Sequence, residues 1–427
     1  MLSTLRNAWK VPELRRRIIF TLVMVAIFRM GNFIPVPGVD TKKLIALSSQ
    51  SGSLFGLYDI MSGGAFSKFT IFALGVIPYI NASIIMQLLT IAIPPLEQLQ
   101  KEGEIGRKKI QQYTRYAAVL FGVLGSFTTY AIILKANALT DNSKLTIFLM
   151  FLSLTTGSTF LMWLGEKITV RGIGNGVSLL IFVNIVSRFP NSAMQVITMF
   201  KSGNITPVAL VGFIVTVVAL FVAVVTVYLA ERRIPIQYAG KTVGGKVYKG
   251  QSSHIPININ STGIIAIIFA MAFMQFPTTI GQFFPQSKIY KFMAGSSYSP
   301  FRTDTWAYAV LYFVLIIFFT WFYAQVTFKP DEMAENIHKS SGFIPGIRPG
   351  EQTARHIERV LARVSVLGGT FAAIIAVTPN IVQGHTQFKD IYFAGTGLLI
   401  LVGVALDTLR QIESQLVMRH YQGFLSE

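Results

Sequence analysis

Residues 207–230 run PVALVGFIVTVVALFVAVVTVYLA, a stretch of 24 residues without one charged side chain. A helix rises about 1.5 Å per residue, and crossing the hydrocarbon core of a bilayer takes roughly 20 apolar residues. A lipid-exposed strand of this length would leave backbone groups unpaired, and the alternation typical of a transmembrane β-barrel is missing. The stretch therefore predicts a transmembrane helix.

The composition predicts that this helix is one of many. Of the 427 residues, 52% are hydrophobic and only 13% are charged, whereas a soluble domain carries about 25% charged residues. So few charges cannot cover a globule of this size, and the sequence predicts an all-α polytopic membrane protein. The ten predicted transmembrane helices cover residues 18–36, 69–93, 116–134, 145–165, 173–190, 207–230, 262–284, 305–328, 364–382 and 391–407.

Lysine and arginine are distributed unevenly between the loops. If the N-terminus lies inside, the inner segments carry 25 of them and the outer segments 11, and Arg29 within the first span completes the 37. Cytoplasmic loops of membrane proteins carry this excess. The count predicts that both termini are cytoplasmic.

Ten spans divide into five and five, which predicts an N-terminal half, 1–200, and a C-terminal half, 201–427. An odd number of spans per half places the two halves in opposite orientations, as in inverted pseudo-symmetric repeats. The second half would carry the long cytoplasmic loops 231–261 and 329–363 and a cytoplasmic tail, 408–427.

Charged groups are almost missing from the predicted spans. Arg29 is the clear exception, while Arg188 and Asp407 lie at span ends. The uncharged polar residues Asn81, Gln87, Asn184 and Gln275 are typical of interhelical hydrogen bonds. No complete nucleotide-binding or hydrolase motif occurs and cysteine is absent, so we expect no catalytic site, no metal site and no cofactor.

Residues 54–66, LFGLYDIMSGGAF, form an apolar segment that is too short to cross. As a helix it would reach only about 20 Å, and Gly63-Gly64 would break it before the second span. An interfacial helix and a re-entrant piece inside a cavity are equally compatible with this pattern.

The two long loops contain turns that project positive charge. Gly244-Gly245 suits the two-residue turn of a hairpin over 242–248. In the second loop, proline and glycine flank Arg348 on both sides and favour a turn that holds it forward. An arginine held in this way suits the recognition of phosphate or carboxylate groups, so we predict that these loops dock a partner.

Several motifs, spread over nearly all of the chain, resemble those of the SecY family, the central subunits of the general protein-secretion channel. They are FIPVPG (33–38), MSGGA (61–65), ALGVIPYI (73–80), KEGE (101–104), QYTRY (112–116), LMWLGE (161–166), RGIGNG (171–176) and PGIRPGEQ (345–352).

The resemblance implies two halves that close around a central pore, with a constriction, a plug and a lateral gate. The implied pore ring comprises Val76, Ile80, Val177, Ile181, Ile268 and Ile400, with valine in place of the commoner isoleucine at two positions. The plug would be 54–66, including Leu54, Phe55, Leu57, Tyr58, Ile60, Met61, Ser62, Gly63 and Gly64. The second and seventh spans, with Gln87 and Gln275, would bound the lateral gate. The implied partner-binding residues are Arg232, Arg233, Lys241, Lys246, Lys249 and Arg348.

The function implied by the resemblance is passage of unfolded secretory polypeptides across the bacterial plasma membrane and sideways release of hydrophobic segments into lipid. The implied partners are the small membrane subunits SecE and SecG, the motor ATPase SecA, the ribosome, and secretory preproteins with their signal peptides. One alternative is a secondary transporter of a small apolar solute, which would need a coupling-ion site. Another is an intramembrane protease, which would need a catalytic pair within the spans.

Overall fold

The computed structural model describes residues 6, 8–41, 62–66, 68–135, 137–141, 143–203, 205–238, 241–243, 246–248, 252–259, 263–282, 287–296, 298–302, 305–385 and 395–424. Helices dominate the described residues. The helices of the first half are α1 (Pro12–Gly31), α2 (Ile77–Ala92), α3 (Pro94–Lys101), α4 (Glu104–Lys135), α5 (Lys144–Arg171) and α6 (Gly176–Lys201). Those of the second half are α7 (Pro207–Leu229), α8 (Gly263–Gln282), α9 (Lys288–Gly295), α10 (Trp306–Thr327), α11 (Pro330–Lys339), α12 (Glu351–His385) and α13 (Gly395–Phe424).

A helix lies at each of the ten predicted spans. By length and apolarity alone, six of the described helices can cross a membrane, or seven if α2 and α3, bent by 99° at one break, count as one span. That bend follows from the sequence, because Pro94-Pro95 starts a new helix and cannot continue the old one. The membrane fold is therefore confirmed, and the count of ten spans stays a prediction.

The boundaries of the second span were predicted wrongly. Helix α2 begins at Ile77, and residues 71–76 form turns instead of the helix expected from residue 69. A hydrogen bond to the segment after α1 keeps the residues before Ile77 out of the helix: the backbone N–H of Ile71 donates to the carbonyl oxygen of Ile34 at 3.0 Å. Pro78 then fits the first turn of α2, where no intrahelical partner for its nitrogen is needed.

The fifth span is longer than predicted. Helix α6 continues through Pro190 to Lys201 instead of ending near residue 190. Proline removes one intrahelical hydrogen bond, which membrane helices tolerate where neighbouring groups satisfy the freed carbonyl. Likewise, α13 runs through Phe424, so the predicted tail 408–427 is helical over most of its length.

The helices pack mainly within their own half. In the first half α2 packs on α4, α4 on α5 and α5 on α6, and in the second half α8 packs on α10 and α10 on α12. Helix α13 joins the halves through α6. Between α5 and α6, the N–H of Gly174 donates to Oε1 of Gln411 on α13 at 2.6 Å, which ties the two halves together on this side.

The two long loops pack together in a unit that we call the loop module: strands β1, β4 and β5, α11 and the first turns of α12, with the separate two-stranded hairpin β2–β3 between β1 and β4 in the chain. Strand β1 (Glu231–Tyr238) lies between β4 (Ser252–Asn258) and β5 (Gly342–Phe343), and both pairings are antiparallel. The predicted hairpin is present, as β2 (Lys241–Val243) pairs with β3 (Lys246–Tyr248). A shared apolar cluster, including Ile234, Ile257, Ile337, Ile357 and Leu361, joins the loops, so they form one surface.

Candidate functional site

The six aliphatic residues of the predicted pore ring lie in, or pack against, one large apolar cluster. Five are buried, with exposed fractions of 3% (Val76), 8% (Ile80), 1% (Ile181), 8% (Ile268) and 3% (Ile400). All five belong to one apolar cluster, and the partly buried Val177 packs against it. Val76 is the N-cap of α2, and the others lie on α2, α6, α8 and α13, so the six come from both halves of the chain.

The start of α6 explains how two of these residues reach this cluster. The side chain of Asn175 caps the helix by accepting from the N–H of Ser178. A Cβ atom at Gly176 would lie 1.9 Å from the carbonyl oxygen of Gly165, so only glycine permits α5 and α6 to approach this closely. Val177 and Ile181 follow one turn apart and face the same side.

The predicted plug lies mostly outside the described residues. Of its named residues, Leu54, Phe55, Leu57, Tyr58, Ile60 and Met61 fall in the undescribed stretch 42–61, and only Ser62, Gly63 and Gly64 are described. Ser62 is buried, and its Oγ accepts a hydrogen bond from the N–H of Phe66 at 3.1 Å. The end of the plug segment is thus a compact turn inside the protein.

The two residues predicted for the lateral gate have different surroundings. Gln87 on α2 is exposed and lines a cavity of about 380 Å³ between the halves, together with Phe269 of α8 and Phe322 of α10. Gln275 on α8 is buried and is not among the residues that line this cavity. Lys101, Arg107 and Lys329 also line it, and the sequence analysis did not identify them as neighbours because they lie on separate helices and loops.

The predicted partner-binding residues lie on the loop module. Arg232, Arg233 and Arg348 are exposed, and Nε of Arg233 is 2.7 Å from Oε1 of Glu231. Lys241 and Lys246 lie on the paired strands β2 and β3. Lys249 lies outside the described residues.

The turn around Arg348 is anchored on both sides. Before it, the N–H of Ile347 donates to the carbonyl oxygen of Ile344, which is buried in the core of the module. After it, the buried Thr353 donates through Oγ1 to the carbonyl oxygen of Arg348 at 2.9 Å. Gly346 and Gly350 have φ values of 80° and 95°, which favour glycine. The backbone of the turn is therefore fixed, and the Arg348 side chain extends from it into solvent.

A salt bridge that the sequence analysis did not identify connects α4 with α5. Arg115 contacts both carboxylate oxygens of Glu166, with Nε to Oε1 at 3.0 Å and Nη2 to Oε2 at 2.8 Å, and Gln111 also donates to Oε1. The Glu166 side chain is only 10% exposed. Both residues lie within motifs quoted above, but their separation of 51 positions conceals the contact in the sequence.

We expect Arg115→Met to lower the free energy of unfolding by about 1–3 kcal/mol, because it removes two charge-assisted hydrogen bonds from a nearly buried carboxylate. The half-exposed guanidinium places the effect toward the lower end of this range. The measurement is the denaturation midpoint in detergent. Lys101→Met is the matched control, because the Lys101–Glu97 pair is exposed on both sides and should leave the midpoint unchanged. Equal midpoints for the two variants would contradict the prediction.

No group of three or more potential metal-ligating His, Cys, Asp or Glu side chains occurs among the described residues. The cluster that holds the predicted ring residues is apolar and contains no charged side chain.

Comparisons with known proteins identify the family of this chain. A model of the SecY family matches residues 70–409. The protein translocase subunit SecY of Thermus thermophilus is 42% identical over 100% of this chain and 98% of its own length. That of Aquifex aeolicus is 42% identical over 100% of both chains.

Solved structures show the same fold at lower sequence identity. One, described as a protein conducting channel, has a TM-score of 0.68 and 19% identity, and the match covers 95% of this chain and 96% of the other. The Sec61 channel in a canine ribosome–channel complex has a TM-score of 0.63 and 17% identity, with 95% and 96% coverage. By the family match and the full-length relatives, this chain belongs to the SecY family of protein translocase subunits.

Proposed function

We propose that this channel subunit passes unfolded secretory polypeptides through the ring formed by Val76, Ile80, Val177, Ile181, Ile268 and Ile400. The observation that carries the proposal is that these side chains, which come from both halves of the chain, lie in or pack against one apolar cluster. A narrow aliphatic constriction offers no hydrogen bonds to water, so it dewets and blocks ions. The same surface has no charge preference and accommodates an extended chain of any sequence.

Sideways release follows from partitioning at the boundary between the halves. The cavity beside Gln87 opens between α2 of one half and α8 and α10 of the other, which supports an exit on this side. A signal peptide with an apolar core of about 10 residues gains roughly 3–6 kcal/mol on reaching lipid. Hydrophobicity can therefore sort the clients without a binding pocket for any one sequence.

The loop module is the proposed docking surface for the ribosome and the motor ATPase SecA. Its exposed Arg232, Arg233 and Arg348 suit phosphate and carboxylate groups. Two solved relatives, Sec61 and yeast Ssh1, are described in complex with ribosomes. The excess of lysine and arginine in the inner segments supports a cytoplasmic position for this module and for both termini. We also propose, from the family, that the chain lies in the plasma membrane of a bacterial cell with SecE and SecG as its small membrane subunits.

The alternative of a small-solute transporter finds no support, because the family match and the structural matches all lead to protein translocase channels. The decisive experiment reconstitutes the chain with its small subunits in vesicles and adds the motor ATPase, ATP and a preprotein. We expect protease-protected preprotein inside the vesicles only when ATP is present. Saturable uptake of a small solute without protected preprotein would reject the proposal.

The lateral gate gives a separate prediction. Because the chain contains no cysteine, new thiols can be joined selectively. Cysteines at Ile91 on α2 and Phe269 on α8, which line the same cavity, should be bridged by a short cleavable crosslinker. The bridge should lower preprotein translocation at least about fivefold, because lateral opening separates these helices, and reduction of the linker should restore it.

The matched control for this gate prediction stays within one half. Phe269 and Phe319 have ring centroids 5.9 Å apart, and both belong to the second half. A crosslinked Phe269→Cys/Phe319→Cys pair should therefore translocate normally. Unchanged translocation after bridging Ile91 to Phe269 would show that the gate lies elsewhere.

A further inference from the structure

Three large aromatic side chains are exposed on the connection between α8 and α10. Phe292 on α9 is 54% exposed, Tyr298 is 85% exposed, and Trp306, the first residue of α10, is 71% exposed. The lysine and arginine count predicts that this connection lies on the outer side of the membrane. Single exposed apolar residues are ordinary at a protein surface, but three aromatic rings within 15 residues indicate a surface that lipid or a partner covers.

Hydrogen bonds hold these aromatic residues on a folded scaffold. Ser299 is fully buried, and its Oγ donates to the carbonyl oxygen of Met293 on α9 at 2.7 Å. The carbonyl oxygen of Ser299 accepts from Oγ1 of Thr305 at 2.7 Å, and this Oγ1 in turn accepts from the N–H of Tyr308 and caps α10. The aromatic side chains therefore project from a backbone that is tied to both α9 and α10.

Trp306 continues an exposed apolar side of α10. Val310, Val314 and Phe318 follow it at intervals of four residues and are 49% to 56% exposed. The helix has 22 residues, so each of its ends lies about 16 Å from its midpoint. Half of the hydrocarbon core of a bilayer is about 15 Å thick. An α10 that is centred in the bilayer thus places Trp306 at the boundary between acyl chains and headgroups.

Helix α9 lies against the outer end of α8. A Cβ atom at Gly281 would lie 2.7 Å from Cδ2 of Tyr290, so the tyrosine ring covers this glycine. On the same end of α8, Phe276 and Ile280 are 43% and 45% exposed. The exposed aromatic residues of the connection are therefore continuous with apolar, lipid-facing surfaces of two membrane helices.

We propose that α9 and the connection to Trp306 lie in the membrane–water interface on the outer side and bind phospholipid there. The rings of Tyr298 and Trp306 combine an apolar body with a polar tip, which favours the level of the headgroups. Residues 283–305 contain three basic residues and one acidic residue, and the exposed Lys288 suits a lipid phosphate. The inference goes beyond the proposed function, because it requires only that the chain spans the membrane.

Tryptophan fluorescence of the full chain in vesicles tests the depth of Trp306. The four tryptophans are Trp9, Trp163, Trp306 and Trp321. The W9F/W163F/W321F variant leaves only Trp306, and its matched control, W9F/W163F/W306F, leaves only Trp321, which lies about 7 Å from the midpoint of α10. We expect lipid brominated near the headgroup to quench Trp306 at least about twofold more than lipid brominated near the end of the acyl chain. The order should be reversed for Trp321.

Cysteine labels test the other two aromatic positions. Because the chain contains no cysteine, Phe292→Cys and Tyr298→Cys each carry a single fluorophore. With iodide on both sides of the membrane, both labels should be quenched at least about threefold less than a label at Val417→Cys. Val417 is comparably exposed, at 63%, but lies on the part of α13 that is predicted to be cytoplasmic.

Each measurement is made on the chain alone and again after the proposed small subunits have been added. The same quenching by lipid in both preparations would support the interfacial site. Stronger quenching of Trp306 by the deep bromine, or labels at 292 and 298 as open to iodide as the label at 417, would overturn it. Quenching by lipid that disappears when the subunits are added would assign these aromatic residues to a protein partner and would equally overturn the proposal.

Discussion

Replacing Ile80 and Ile268 together by serine should raise the resting ion conductance of the reconstituted channel at least about tenfold. The two residues come from α2 and α8, in opposite halves, and both are buried in the same apolar cluster. Each substitution removes an aliphatic side chain whose burial is worth about 1.5–3 kcal/mol and introduces a hydroxyl group that binds water. A constriction that water can enter no longer blocks ions.

The control is a serine at a buried position of the same cluster that lies outside the proposed ring. Ile316 on α10 is 0% exposed and belongs to the cluster. Ile316→Ser should lower stability by about 2–5 kcal/mol, as expected for truncating a core aliphatic side chain, without opening a conducting path. The measurement is single-channel or vesicle conductance, together with the denaturation midpoint. Equal conductance in both variants would mean that the six residues form ordinary core packing and no seal.

The helices could be predicted from the sequence because apolarity and length are local properties. Residues 207–229 form α7 with nearly the predicted bounds. The errors arose where distant contacts decide the backbone. Residues 71–76 are apolar enough for a span, but the hydrogen bond of Ile71 to Ile34 holds this stretch in turns. We expected the helix to end near Pro190, because proline removes an intrahelical hydrogen bond. Helix α6 nevertheless continues through Pro190 to Lys201.

The site could be predicted only in part. The ring residues were identified by resemblance, and their placement in one cluster agrees with that expectation, although their role stays a prediction. The contact of Asn184 and Arg188 with the Gly63–Gly64 turn was not foreseen, because Asn184 resembled any interhelical polar residue and Arg188 a span end. Only the contact with Gly63 and Gly64, more than 100 positions away, distinguishes them. The loop module was likewise hidden, since strand pairing between Gln237 and Phe343 joins two loops that the sequence separates.

Arg348→Glu should reduce ATP-driven translocation at least about tenfold, to near background. Hydrogen bonds of Ile347 before Arg348 and of Thr353 after it hold the turn, so its backbone needs little further ordering when a partner binds. A charge-assisted hydrogen bond contributes about 1.5–3 kcal/mol, and reversal of the charge adds repulsion to this loss. The measurements are protease-protected preprotein and the affinity of the complex for the motor ATPase and for ribosomes.

The expected loss of translocation depends on the position of the positive charge and not on the net charge of the module, and a second charge reversal on the same module tests this. Arg355 is exposed on the first turns of α12 and pairs with Glu351 at 2.6 Å, so Arg355→Glu changes the net charge equally on the same module. Translocation by R355E should stay within about twofold of wild type. Arg348→Lys keeps the positive charge but lacks the planar guanidinium that binds a carboxylate or phosphate through two hydrogen bonds. This variant should therefore retain only part of the translocation activity if Arg348 makes such a bidentate contact. Full translocation by R348E, or an equal loss in R355E, would show that the module acts only through its overall positive charge.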